Sequence, residues 1–177
     1  MNVKIRLARI DDIPAIQNLI HDSVSALSAA YYSPSQISSA LEHVFGPDSQ
    51  LIIDGTYFLA DANGDIAGSG GWSKRKTLFG GDQAKSSTDE LLDPASEAAR
   101  IRAFYVHPRW SRKGIASQIL TACEEAARAC GFRRLELAAT LPGEPFYLAR
   151  GYRKFEPIEI KTPDGQSLDA FRMEKEI

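Results

Sequence analysis

Residues 99–131, ARIRAFYVHPRWSRKGIASQILTACEEAARACG, constrain the fold more than any other stretch of the chain. ARIRAFYV reads as a strand, rich in residues suited to a pleated surface. From Ile115 the apolar residues recur at helical spacing: Ile115, Ala116, Ile119, Leu120, Cys123 and Ala127. Gly131 then ends the helix. A strand passing through a basic loop into an amphipathic helix, with further strands on both sides, points to one α/β domain over 1–177 built on a mixed sheet.

The loop itself carries chemistry. The first turn of a helix leaves unpaired N–H groups, and the macrodipole adds about half a positive charge there. Such a junction is a ready anion site. Gly114 and Ala116 remove bulk so that an oxygen can approach the backbone, while Arg112 and Lys113 add charge. Neither G-x-x-x-x-G-K-[ST] nor G-x-G-x-x-G is present, so the two common nucleotide fingerprints are excluded.

The flanking chain supplies the remaining layers. VKIRLA (3–8) alternates as a half-buried strand, and Ile13, Ile16, Leu19, Ile20, Val24 and Leu27 form a helical stripe. Asp11 or Asp12 can cap that helix, with Pro14 in its first turn. A shorter helix opens near Ser33 and Pro34. TYFLAD and IAGSGGW flank Asn63-Gly64, a hairpin turn signal. Residues 73–98 form an irregular excursion, read as a lid. RRLELAA is a strand and PFYLARG a short helix closed by Gly151. YRKFEPIEI and LDAFRMEKEI form a final antiparallel pair around Pro163, Asp164 and Gly165.

Composition narrows the partners. The net charge of -2 argues against a nucleic-acid binder, and no apolar run approaches the ~20 residues of a membrane helix. Cys123 and Cys130 lie seven apart on one helix, roughly 10 Å along its axis, beyond disulfide reach. Two buried free thiols and a cytoplasmic home are expected. His21, His43 and His107 have no i, i+4 ligand partner, so no metal is expected.

SRKGIA (111–116), following FYVHP, resembles motif A, [QR]-x-x-G-x-[GA], of the GCN5-related N-acetyltransferase (GNAT) family. PFYLARGY resembles that family's motif B, and IRLARIDDIPAIQNLI its opening strand and helix. Ser111 stands where Gln or Arg is usual, and Thr140 where many relatives carry Asn. The resemblance implies a GNAT-type fold that binds acetyl-CoA as co-substrate. Its diphosphate would be held by Ser111, Arg112, Lys113, Gly114, Ile115 and Ala116. Phe104 and Val106 would pair with pantetheine, and Thr140 and Tyr147 would complete the cofactor site. Two catalytic groups follow: the Val106 N–H to polarise the thioester carbonyl, and Tyr147 as general acid toward the leaving thiolate.

The implied acceptor is a primary amine, here of a small molecule; pairing as a homodimer is a further family expectation. Tyr31, Tyr32, Trp72 and Arg102 are nominated to line the acceptor cleft, with Ser33 and Phe79 beside them. Arg100 and Arg102 suggest an acceptor that also carries an acidic group. No single base stands out: His107, Asp89, Glu90, Asp93 and Glu97 are candidates, as are a water chain and an amine that binds already neutral. A protein or peptide N-acetyltransferase and a CoA-binding sensor without turnover are the alternatives.

Overall fold

The computed structural model describes residues 3–85 and 89–177. Seven strands form one sheet: β1 (Lys4–Leu7), β2 (Tyr57–Ala62), β3 (Asp65–Ser73), β4 (Ala99–Val106), β5 (Arg134–Thr140), β6 (Arg153–Lys161) and β7 (Ser167–Glu176). Their order is β1-β2-β3-β4-β5-β7-β6, and every neighbouring pair is antiparallel except β4–β5. The helices are α1 (Ile13–Leu27), α2 (Pro34–His43), α3 (Ser49–Ile53), α4 (Ile115–Ala129) and α5 (Glu144–Ala149).

Local chemistry explains most of these elements. Ser33 caps α2, accepting from Gln36 N while Gln36 returns its side chain to Ser33 N. Asn63 (φ 59°) and Gly64 (φ 97°) make the two-residue turn between β2 and β3. Asp12 precedes α1 without capping it; its carboxylate accepts from Arg6 and from Arg9 N, which hold it below the usual carboxylate range. The short α3 has no apolar periodicity to announce it, and only Asp48, accepting from Leu51 N, marks its start.

The sheet buries both faces. Against one face, Ile16, Ile20 and Val24 of α1 meet Tyr57 and Leu59. Against the other, Ile115, Ile119, Cys123 and Ala127 of α4 meet Ala60, Ala99 and Leu135. Each large side chain so buried contributes about 1.5–3 kcal/mol. Two glycines of β3 make the α4 contact close. A Cβ at Gly68 would stand 2.8 Å from Ile115 Cγ2, and one at Gly70 would stand 2.7 Å from both Ile119 Cγ2 and the Phe104 ring.

Two expectations need correction here. Cys123 is buried and its thiol is pushed up by desolvation, but Cys130 is exposed, because α4 ends at Ala129 and the chain turns there. Trp72 lies in the core, edge-on to Phe132 at 6.0 Å, and does not reach a cleft. Its preceding glycines serve packing: the β3–β4 register shifts between Ser69 and Gly71. The described part of the 73–98 excursion is fastened at its base. Arg75 pairs with Asp54 (2.7 Å and 2.9 Å) and donates to Asp89 O, and Arg75 bridges Leu91 in antiparallel fashion.

Filling the β3 notch should be costly. Gly70→Ala is expected to lose about 1–3 kcal/mol through overpacking, read as a fall of several degrees in Tm. An unchanged Tm would show that α4 and Phe104 do not depend on that notch.

Candidate active site

β4 and β5 form a parallel pair only at Ala99↔Leu135 and Arg100↔Glu136. Beyond that point they part. Successive residues of an antiparallel strand turn their N–H groups to opposite edges. His107 N donates to Ala67 O on β3, so the N–H groups of Phe104 and Val106 face the gap on the β5 side. Val106 N donates to Ser23 Oγ of α1 at 3.3 Å. Ala103 just before them has φ 58°, an unusual conformation for a residue with a Cβ, at the place where β4 slips register against β3.

This parting opens a cleft of about 740 Å³. At one end lies the 107–114 loop. His107 Nδ1 accepts from Arg109 N and caps a short 3-10 turn over Pro108–Trp110. Arg112 (φ 62°) and Gly114 (φ 79°) are both left-handed, and Gly114 directly precedes α4. An added Cβ at Gly114 meets nothing within 4 Å, so the backbone angle, rather than space, calls for glycine. Alternating left-handed residues before a helix start turn consecutive N–H groups to one side, the geometry of an anion nest.

Ser111, Arg112, Gly114, Ile115 and Ala116 line this end of the cleft. Lys113 does not; its ammonium stands over the Trp110 ring at 5.1 Å from the centroid. A cation absent from the sequence reading takes its place. Arg150, at the end of α5, lines the cleft and donates to Ser117 Oγ in the first turn of α4. Its position directly before Gly151 was the available signal. The loop therefore offers backbone donors, a helix N-terminus and two guanidinium groups, a set suited to a diphosphate.

Tyr147 of α5 also lines the cleft. Its ring meets Phe104 (6.2 Å), Phe146 (5.1 Å) and Tyr152 (5.6 Å) edge-on. Burial pushes the phenol above its ordinary value, and no hydrogen bond acts on it. It is thus a protonated, uncommitted donor at neutral pH. Thr140, at the end of β5, lines the wall near it.

At the far end the two adjacent tyrosines separate. Tyr31 is half-exposed and lines the cleft. Tyr32, expected beside it, turns away: its ring packs on Ile160 and Leu168, and its hydroxyl donates to Asp169 O (2.7 Å) and accepts from Leu141 N (2.9 Å). Phe79 lines the cleft from the excursion. Arg102 also borders it, but its side chain is 2% exposed and ion-paired with Asp48 at 2.8 Å. Arg102 further donates to Gly80 O, and Lys85 holds the same Asp48. Arg100 pairs with Glu136 at 2.8 Å. Arg100 is thus paired with Glu136, and Arg102 and Lys85 share Asp48 while Asp89 stands 4.0 Å from Arg102, so the protein's own carboxylates remove the reason to expect an acidic acceptor.

None of the expected base candidates lines the cleft. Asp89 accepts from Thr77 N, Glu90 pairs with Lys76, Asp93 accepts from Ala95 N and Ser96, and Glu97 accepts from Asp93 N.

The comparisons with known proteins agree with this geometry. The described chain superposes on a GCN5-related N-acetyltransferase from Rhodopseudomonas palustris with TM-score 0.71, at 18% identity, covering 100% of this chain and 97% of that one. It superposes on PaiA N-acetyltransferase from Thermoplasma acidophilum, solved in complex with coenzyme A, with TM-score 0.69, at 16% identity over the whole of both chains. YncA from Salmonella typhimurium, solved with its cofactor acetyl-CoA, matches with TM-score 0.65, at 16% identity over 99% and 94%. No curated protein matches the sequence. The fold is therefore that of the acyl-CoA N-acyltransferases. The Acetyltransferase (GNAT) family model matches residues 22–152, and the chain belongs to that family of acetyltransferases.

The buried Arg102–Asp48 pair yields a test of what Arg102 does. Arg102→Met leaves Asp48 charged and buried with only Lys85, and should cost about 3–5 kcal/mol, read by denaturant unfolding. A loss of acetyl transfer with full stability would instead make Arg102 an acceptor ligand.

Proposed function

We propose that this chain is an acetyl-CoA-dependent N-acetyltransferase acting on a primary amine of a small molecule. One observation carries the reading: an uncommitted phenol, Tyr147, lines the same continuous cleft as an anion nest and an apolar recess. Acetyl-CoA supplies an activated acyl group to such a cleft. The residues around it have separable tasks.

The 111–116 loop, with Arg112 and Arg150, would hold the diphosphate. Ser111 contributes through its backbone, which is indifferent to the loss of the Gln or Arg usual there. Phe104 and Val106 offer the gap-facing backbone of β4 to an extended pantetheine arm, and Thr140 borders it from β5. The Val106 N–H, held by Ser23 Oγ in the free protein, is the donor toward the thioester oxygen; one such donor is worth roughly 3 kcal/mol in acyl transfer. As the amine nitrogen bonds to the acetyl carbon, the carbon–sulfur bond breaks and its electron pair goes to sulfur. Tyr147 then gives sulfur a proton, and the proton lost by nitrogen restores the phenol through water.

A small acceptor is favoured because Tyr31 and the segment around Phe79 wall the recess, where a peptide would need an open groove. The free thiols Cys123 and Cys130 fit a reducing cytoplasm.

Two variants test these tasks. Tyr147→Phe should lower kcat by about 10²-fold or more while leaving the calorimetric Kd for acetyl-CoA unchanged; a full kcat at every pH rules out the acid role. Arg150→Ala should raise that Kd by roughly tenfold or more, as a lost charge-assisted contact does, with the gap narrowing as salt rises. A Kd equal to that of the parent removes Arg150 from the diphosphate site.

A further inference from the structure

The charges around the cleft define its acceptor. Among the described residues that line it, the charged side chains are Arg102, Arg112 and Arg150, and no carboxylate, histidine or lysine joins them. Arg102 is already paired with Asp48. Arg112 and Arg150 stand at the anion end. The far end is instead walled by Leu27, Tyr31, Phe45, Leu78, Phe79 and Tyr105, with Phe45 edge-on to Tyr105 at 6.3 Å.

These walls select against an ordinary alkylamine. A group of pKa near 10.4 is neutral in only about one molecule in 2,500 at pH 7, and only the neutral form can attack. No carboxylate among the described lining residues balances an ammonium on entry. Aromatic faces can attract a cation, yet a cation so held is in the form that cannot react. The guanidinium groups further along repel it.

Resting on the acetyl-transfer reading above, we propose that the acceptor is an arylamine-class amine: a nitrogen conjugated to a flat apolar ring, unprotonated at neutral pH, with the ring against Phe45, Leu78 and Phe79. Such a nitrogen needs no general base before attack. The proton it loses on acylation equals the one sulfur gains, so arylamine and acetyl-CoA give the N-aryl acetamide and free thiol without a net proton change. The carboxylate-free lining among the described residues, the aromatic recess and the internally paired Arg102 then have one explanation.

The test is release of CoA thiol with aniline and 4-ethylaniline against butylamine and spermidine, from pH 6.5 to 8, alongside calorimetry with acetyl-CoA. Aniline should be turned over with kcat/KM nearly flat in pH, and 4-ethylaniline faster by about 4-fold per added carbon. Phe79→Ser should lower kcat/KM for aniline about tenfold and leave the acetyl-CoA Kd unchanged. Butylamine or spermidine outpacing aniline at pH 7, or no turnover of either aniline while acetyl-CoA binds, overturns the proposal and leaves the cofactor reading intact. Failure of acetyl-CoA to bind removes that reading as well.

Discussion

The parting of β4 from β5 after only two paired positions is the constraint on which the rest depends. A central sheet normally satisfies every backbone N–H and C=O by pairing. Here β4 continues from Ile101 to Val106 with one edge paired to β3 and the other open. Exposed strand edges invite pairing with an extended chain. The fold keeps this one inside a cleft, with Ser23 occupying the Val106 N–H and Tyr147 guarding the approach. An edge so sheltered is available to a thin, extended ligand and closed to another protein strand.

What holds the strands apart is a division of packing between the two faces. Phe104 points to the α4–α5 side and packs on Tyr147, whereas Ala103 and Tyr105 point to the α1–α2 side. The left-handed Ala103 sets this alternation where β4 slips against β3. At the far end, the Asp48 carboxylate ties α3, β4 and the excursion together through Leu51 N, Arg102 and Lys85. A buried charge that loses its partner is severely penalised, so the members of this triad hold one another in place at the recess wall.

Much of this was legible in the chain because its signals are local. The helical stripe of α4, the helix start at Ser33 and Pro34, the Asn63-Gly64 turn and the loop ahead of Ile115 all lie within a few residues of what they determine. The misreadings came from partners distant in sequence. Arg102 finds Asp48, the N-cap residue of a five-residue helix too short to show a period. Trp72 and Tyr32 illustrate a second limit. An aromatic beside glycine or serine looks the same whether it faces a cleft or the core, since one residue's shift in a strand or turn exchanges the two.

The pair Tyr31–Tyr32 shows how such ambiguity becomes organisation. Tyr32 fixes the α1–α2 connection by joining Asp169 O of β7 to Leu141 N just past β5. Its neighbour is thereby presented to the recess while Tyr32 itself is buried. The same logic applies to Ser111. Ser111 adds no charge to its end of the cleft, and the Arg150 guanidinium reaches that end from α5, anchored on Ser117 Oγ. Arg150 stands at the end of α5, so the 111–116 end of the cleft and the Tyr147 helix are mechanically one unit: a shift that tightens Arg150 on Ser117 carries the phenol with it.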